Sequence, residues 1–425
     1  MHSKLLPVYI LHFINFFNLM MWVPILEQVL VRLGIENTQT KLLLHGLIFS
    51  AYPVFQFLMI QTMNSLSDVY GRKRILLFSQ FGTLLSIFIT LVGVNVNSLI
   101  AIKFGPINLA VILLIIARSI DGVSGGNAMV TTNYANDTVS ENNYSKTSAF
   151  SFIEYSIIAG SLAGVFFSPI ISSTRFKTTG TMVFLLCLTL ISIYVTYKKV
   201  HNLKVPIKSK INILVEMNIF KNIDYFNKDT IATKVVRYRF IFNLIFTCFI
   251  TAIFPFLDIQ FGVGGEGSEL GLVILGVALI TVFTQVVIVN PIVKKLGIFE
   301  SLEFSKYLLL SCLIMFFVIP LIFPIYIQGW LLIVVFVGMS AGVNTGLLSF
   351  KPAMLSSVVP DKAGKILALE EQVLIVSSAI GFASTGVLNS FISGYNLPFA
   401  TVFLILTIFI FIYLIFEKIN DLYFS

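Results

Sequence analysis

Apolar runs of about 20 residues succeed one another along this chain, and that is the length an α-helix needs to cross a bilayer. They fall at approximately 5–30, 42–63, 75–95, 108–131, 149–172 and 178–197, then at 238–259, 270–293, 304–326, 329–356, 365–390 and 397–416. Composition agrees with so many spans. Apolar residues make up 57% of the chain and charged residues 11%, with a mean hydropathy of +0.94. A soluble protein must present a largely polar outside and could not keep that much apolar surface from water. With lipid as the solvent the difficulty disappears. The reading is an all-α polytopic membrane protein of twelve transmembrane helices, with no low-complexity tail and no separate soluble domain. The apolar run after Lys4 has no small-residue cleavage site, so it reads as a retained first span rather than a signal peptide. Cys187, Cys248 and Cys312 all lie within apolar runs and indicate neither a disulfide framework nor a metal site.

A hydrophilic stretch divides the runs six and six. This predicts two pseudo-symmetric six-helix halves, residues 1–197 and 238–425, joined by a central connection at 198–237. The net charge of +8 brings no aromatic-interleaved groove with it, so nucleic acid is not an expected partner. Basic residues instead bear on orientation. With the N-terminus inside, the inner segments hold Lys4, Arg72, Lys73, Arg74, Lys146, the run from Lys198 through Arg239, Lys294, Lys295, Lys306, Lys362, Lys365 and Lys418. The outer segments hold only Arg32, Lys41, Lys103, Arg175 and Lys177. Both termini are therefore expected in the cytoplasm. The connection reads as a solvated linker, with Ile211–Phe226 a candidate interfacial helix against anionic lipid.

Between spans 2 and 3 the chain reads Asn64-Ser-Leu-Ser-Asp68-Val-Tyr-Gly71-Arg72-Lys73-Arg74. This resembles the major facilitator loop signature G-x-L-x-D-R-x-G-R-K, with Asn64 for the first Gly and Val69 for the first basic residue. Gly71 permits a tight turn, and Asp68 is suited to meet a helix N-terminus. Span 4 carries Arg118, Asp121, Gly122, Gly125 and Gly126, similar to the family's R-x-x-Q-G motif with Asp for Gln. Asp137 follows at a spacing that resembles the tetracycline-type drug/proton antiporter branch. Span 5 offers Gly160, Gly164, Ser168 and Pro169, similar to the exporter pattern G-x-x-x-G-P. Asn290–Gly297 repeats the loop signature in degenerate form, and Gly338, Gly342 and Gly346 give span 10 a small-residue face. Gly122 with Gly126, and Gly160 with Gly164, mark expected close helix packing. The resemblance implies gating roles for Asp68, Gly71, Arg72 and Lys73. Asp68 would approach the start of span 11 near Lys365, and Arg72 would meet Asp137.

Ionisable residues within spans are costly and usually face a cavity or a partner. Arg118 lies about 20 Å above the inner end of span 4 at 1.5 Å per residue, and Asp121 is one turn away on the same side. They read either as cavity residues that exchange partners with a proton or an anionic substrate, or as a static ion pair. Glu154 is shallower, a proton site or an inner-mouth residue meeting water or Lys146. Lys351 is placed level with Glu370 and Glu371, and the expectation is a Lys–Glu pair, with gating or substrate contact as the alternative. Glu27 and Asp258 read as wet rim residues, and His12 and His45 as packed histidines or proton relays. Asn15 stands where the antiporter comparison has an acidic residue.

No nucleotide-binding loop, catalytic triad or metal-spaced cluster is present in the sequence, so neither enzyme activity nor a cofactor is expected. The leading expectation is a secondary transporter, a monomer in a bacterial inner membrane, that exports small organic molecules against protons by alternating access. The alternatives are a proton-coupled importer of an organic anion, amino acid or siderophore, and a non-transporting receptor or scaffold.

Overall fold

The computed structural model describes residues 3–35, 37–95, 103–104, 107–125, 127–142, 146–172, 177–201, 230–261, 276, 279–281, 283–358, 363–395 and 397–424. Among the described residues the apolar runs close their own backbone hydrogen bonds as helices. Helices α1 (Leu6–Arg32), α2 (Thr38–Tyr70), α3 (Arg72–Asn95), α4 (Leu109–Ser124), α5 (Asn127–Glu141), α6 (Lys146–Ser172) and α7 (Lys177–Lys199) precede the connection. Helices α8 (Ile231–Phe261), α9 (Asn290–Leu296), α10 (Ile298–Ile322), α11 (Ile325–Ser356), α12 (Ala363–Gly394) and α13 (Thr401–Phe424) follow it, with a π-helical turn, Thr284–Val289, leading into α9. Among the described residues, nine helices are long and apolar enough to cross a membrane, and Phe152–Ser168 and Thr401–Ile415 are shorter apolar helices. The expected eighth span falls largely outside the described residues, as do 202–229 and the candidate interfacial helix within them.

Asparagine caps mark two starts. Asn37 Oδ1 accepts from the Thr40 amide at 2.9 Å to open α2, and Asn108 Oδ1 accepts from the Val111 amide at 3.0 Å to open α4. Asn108 Nδ2 also donates to the Leu33 carbonyl at 2.6 Å, tying the end of α1 to the start of α4. Gly71, at φ 92°, turns α2 into α3, and Gly297, at the same φ, turns α9 into α10. The degenerate repeat of the loop signature thus shares the backbone conformation that only glycine adopts without strain.

Two differences from the sequence expectation bear on the site. Span 4 is not one helix: α4 stops at Ser124 and α5 begins at Asn127. The run breaks at Gly125, whose amide turns back to the Gly122 carbonyl at 2.9 Å while the Gln56 side-chain amide donates to the Gly125 carbonyl at 2.6 Å. Span 7 starts at Ile231, earlier than its apolar run, because its first turns carry Lys234 and Arg237 among apolar residues.

Each half has its own core. Met21, Ile25, Leu26, Ile48, Leu114 and Leu185 pack in the first; Phe242, Phe249, Phe316, Phe350 and Phe403 pack in the second. Phe78, Phe81, Leu85 and Phe88 of α3 lie exposed on the outside, where a lipid-facing helix places such bulk. The seam runs along α2 and α12, with α6 meeting α11 beside it. We call the end of the bundle with the α2–α3 turn the loop end. There Leu367 of α12 joins Leu5, Val8 and Phe150 of the first half. Toward the opposite end α2 and α12 touch through glycine: a Cβ on Gly46 would stand 2.5 Å from Gly386 Cα and 2.7 Å from the Phe382 carbonyl.

The expected close packing is present where it is described. A Cβ on Gly122 would strike the Tyr52 carbonyl of α2, and one on Gly160 the Phe13 carbonyl of α1. A Cβ on Gly164 would lie 2.5 Å from the Phe17 carbonyl. Ser168 donates to the Met21 carbonyl at 3.0 Å, using its hydroxyl where the exporter pattern has glycine. Gly126 and the Pro169 side chain lie outside the described residues. Since rigid backbone blocks the site, Gly164→Val is expected to destabilise the fold by about 1–3 kcal/mol. A lowered melting temperature in detergent reads this directly, and an unshifted one would mean that α1 and α6 have room to part.

Candidate functional site

Between the halves lies a cavity of about 340 Å³. Its walls are single helix faces, as the spacing of their contributors shows. His12, Phe16, Leu19 and Val23 come from α1; Arg239, Asn243, Phe246 and Ile250 from α8; Glu371, Leu374, Ser378 and Phe382 from α12. Steps of three and four residues keep one face inward. Most of this lining is apolar, and two charged sites interrupt it.

The first site is Arg118 with Asp121. One turn apart on α4, they pair at 3.1 Å (Nη1 to Oδ2), and Thr83 of α3 donates to Asp121 Oδ1 at 2.8 Å. The guanidinium is 4.9 Å from the Tyr52 ring and 5.6 Å from the Trp22 ring, so aromatic faces from α2 and α1 hold its orientation. Arg118 is 3% exposed, and its Nη2 has no hydrogen-bond partner.

The second site crosses the seam. Lys351 Nζ lies 2.7 Å from Glu154 Oε1 and 3.8 Å from Glu371 Oε1, and Arg239 Nε lies 3.4 Å from Glu370 Oε1. Glu370 and Glu371 are adjacent on α12 and so point to different neighbours, α8 and α11. All five side chains are buried. Three carboxylates face two cations, so one negative charge is in formal excess in a place where unpaired charge is costly. Arg239 also stacks on Phe350 at 4.7 Å.

This arrangement adds to one reading and corrects two others: the expected Lys351–Glu371 pair is present. The nearest partner of Lys351 is Glu154 of the other half, with Glu371 second, whereas Glu370 turns to Arg239. Glu154 is a buried partner in an ion pair, not a wet mouth residue. Arg239, which had been grouped with the charges of the connection, is an inward residue of α8. Its signal was its spacing to Asn243 and Phe246, on the face whose Asn243 Nδ2 donates to Ser377 and Ser378 of α12 at 2.8 Å each.

At the loop end, Asp68 Oδ1 pairs with Arg72 Nη1 at 2.6 Å, and Arg72 Nε meets Asp137 Oδ2 at 3.2 Å. Arg72 also donates to the Ser67 hydroxyl, and Lys73 Nζ to the Tyr197 carbonyl at 2.7 Å. The turn at Gly71 is thus tied to α5 and α7 within the first half. Residues 359–362 and the Lys365 side chain, where Asp68 was expected to cross the seam, lie outside the described residues, as do the side chains of Glu27, Lys146 and Asp258. His45 is buried edge-on to Phe49 at 4.9 Å, while His12 lines the cavity. Among the described residues, no group of His, Cys, Asp and Glu has the arrangement of a metal site.

The sequence matches the Major Facilitator Superfamily over residues 8–369. A comparison with curated proteins gives no match. By structure, a D-xylose-proton symporter superposes with a TM-score of 0.67 at 14% identity, over 96% of this chain and 96% of that one. A variant of the nucleoside transporter NupG gives 0.66 at 12% identity, over 96% and 97%. The human organic anion transporter MFSD10 (TETRAN) gives 0.65 at 16% identity, over 96% and 98%. At these identities the likeness is one of fold.

Proposed function

We infer the function from one premise: this chain belongs to the Major Facilitator Superfamily, whose structurally similar proteins are membrane transporters. It is an integral membrane protein with that family's fold of twelve transmembrane helices in two halves, and not an enzyme. Beyond that, we propose a proton-coupled secondary transporter in which the halves, residues 1–197 and 238–425, rock about the central cavity. The observation that carries the proposal is the seam cluster of Glu154, Lys351, Glu370, Glu371 and Arg239, with one carboxylate more than it has cations. A proton on that cluster removes the excess charge, and losing it changes the attraction between the halves. Proton loading and the opening of the seam then bias the same two-state equilibrium.

The mostly apolar lining suits a small organic solute. Export is the direction we propose, supported by the Gly160–Gly164 pattern of α6 and the interval from Arg118 to Asp137, which resemble the drug/proton antiporter branch. The Asp68–Arg72–Asp137 chain at the loop end is proposed to steady the gate on the cytoplasmic side, where the excess of basic residues places both termini. The membrane we propose is the bacterial inner one, and the working unit a monomer. One observation favours a second reading, import of an organic anion: the unpartnered Nη2 of Arg118 is a ready donor to a carboxylate.

Flux in proteoliposomes across a panel of solutes, with and without an imposed pH gradient, tests both. Gradient-driven movement of at least one solute, abolished by a protonophore, is the expected result. Accumulation that survives full uncoupling and requires ATP would overturn the reading.

A further inference from the structure

A second, smaller cavity lies wholly within the first half, enclosed by α1, α3, α5 and α7, with a volume of about 20 Å³. One water needs roughly 10–15 Å³, so the space admits one and little more. Its lining is polar for a site inside a membrane half. His12 and Asn18 come from α1, Gln80 and Thr83 from α3, Thr131 from α5 and Ser192 from α7.

The polar atoms around it are incompletely used. Asn18 Nδ2 donates to Thr189 at 3.3 Å, and Gln80 Nε2 donates to Ser192 at 2.9 Å and Thr196 at 2.7 Å. The other atom of each amide, Asn18 Oδ1 and Gln80 Oε1, is buried without a partner, and so are both ring nitrogens of His12. His12 is 2% exposed and Gln80 3%. A neutral imidazole has one donor and one acceptor, so the unused set combines acceptors with a donor. A cation satisfies acceptors only, and no carboxylate lines this cavity to offset its charge. Water satisfies both kinds.

The cavity also joins the two charged sites. His12 lines it and lines the central cavity as well, whose wall also holds Glu154, Lys351 and Glu371 of the seam cluster. Thr83 lines it and donates to Asp121. Asp121 is faced by Arg118 on its own helix, by Tyr52 from α2 and by Thr83 from α3.

We propose that this cavity holds an ordered water linking His12 to Thr83, so that His12, the water, Thr83 and Asp121 form a proton path between the seam cluster and the Arg118 site. This rests on the proton coupling proposed above. Protonated His12 gives its proton to the water oxygen, the water gives one of its own to Thr83 Oγ1, and Thr83 gives its hydroxyl proton to Asp121. Neutral His12 and protonated Asp121 result; the water and Thr83 keep their composition with their hydrogen bonds reversed. The Thr83-to-Asp121 bond already points in the direction that delivery requires.

Thr83→Val keeps the side-chain shape and removes the hydroxyl. In proteoliposomes, proton-driven transport should fall by roughly a hundredfold or more relative to solute exchange at equal pH, the scale at which one positioned proton-transfer group is felt. Thr83→Ser should restore it, which a merely steric role for the methyl group would not allow. A high-resolution map of the wild type should show solvent density among His12, Gln80 and Thr83. Full coupling in Thr83→Val, or an empty or cation-filled cavity in the map, would overturn the path. A wild type that couples to no proton would instead fail at the earlier reading and take the path with it.

Discussion

Lys351→Met is expected to abolish concentrative transport. The ammonium lies 2.7 Å from Glu154 and 3.8 Å from Glu371, and it holds two carboxylates from opposite halves with one side chain. Methionine fills similar volume and leaves three buried carboxylates facing Arg239 alone. Removing one partner of a buried pair costs about 3–5 kcal/mol, which corresponds to roughly a hundredfold or more in any equilibrium that depends on the pair. The variant should therefore show accumulation at background and a lower melting temperature. Lys351→Met with Glu154→Gln removes both members, so it should recover much of the stability without recovering coupling. That split separates a structural tie from a working one. A distance probe across α6 and α11 should report a wider seam in the single variant. Wild-type accumulation in Lys351→Met would remove the cluster from the mechanism.

Arg118→Ala and Asp121→Asn should each reduce coupled transport by about a hundredfold, the scale of a buried charged group left without its partner. Without the guanidinium, Asp121 keeps only the Thr83 hydroxyl. Without the carboxylate charge, Arg118 keeps the rings of Tyr52 and Trp22 and no counter-charge. Insertion and folding should largely survive, because Gly122 against the Tyr52 carbonyl still holds α4 on α2 when the pair is removed. The double variant Arg118→Ala/Asp121→Ala decides what the pair is for. If it transports like the wild type while both single variants are dead, the charges matter only to each other. If it is as dead as they are, one of them acts on proton or solute.

What could be read in the sequence follows from how local each feature is. Run length identified the spans because a bilayer-crossing helix is specified along its own residues. Arg118 and Asp121 are three apart on one helix, and that spacing alone makes them neighbours. Arg72 and Asp137 lie on different elements, and only the family resemblance joined them. The partner of Lys351 was read as a glutamate of α12 because depth was counted from the ends of apolar runs; Glu154 sits across a seam that no spacing encodes. Arg239 was assigned to the connection because hydropathy rises only after the first turns of α8, where polar residues share the helix with apolar ones. Gly122 with Gly126 read as close packing, and nothing in the local pattern marked a break at Gly125. The hydrogen bond from Gln56 to the Gly125 carbonyl, a tertiary contact, accompanies the break.

The glycine contact between α2 and α12 has a mechanical consequence. Gly46 and Gly386 meet backbone to backbone, one turn from the Phe49 and Phe382 rings stacked at 5.1 Å, so the crossing is a close pivot. Because the pivot lies toward one end of α2, the rest of the helix is its lever arm. From Gly46 to Tyr70 that arm is roughly 36 Å at 1.5 Å per residue. A tilt of about 10° about the pivot carries its far end about 6 Å by the same geometry. Lys351 and Glu154 join the halves toward that far end, where a small rotation already parts an ion pair held at 2.7 Å. The pivot stands toward one end of the seam and the latch toward the other, where a tilt moves the two halves further apart.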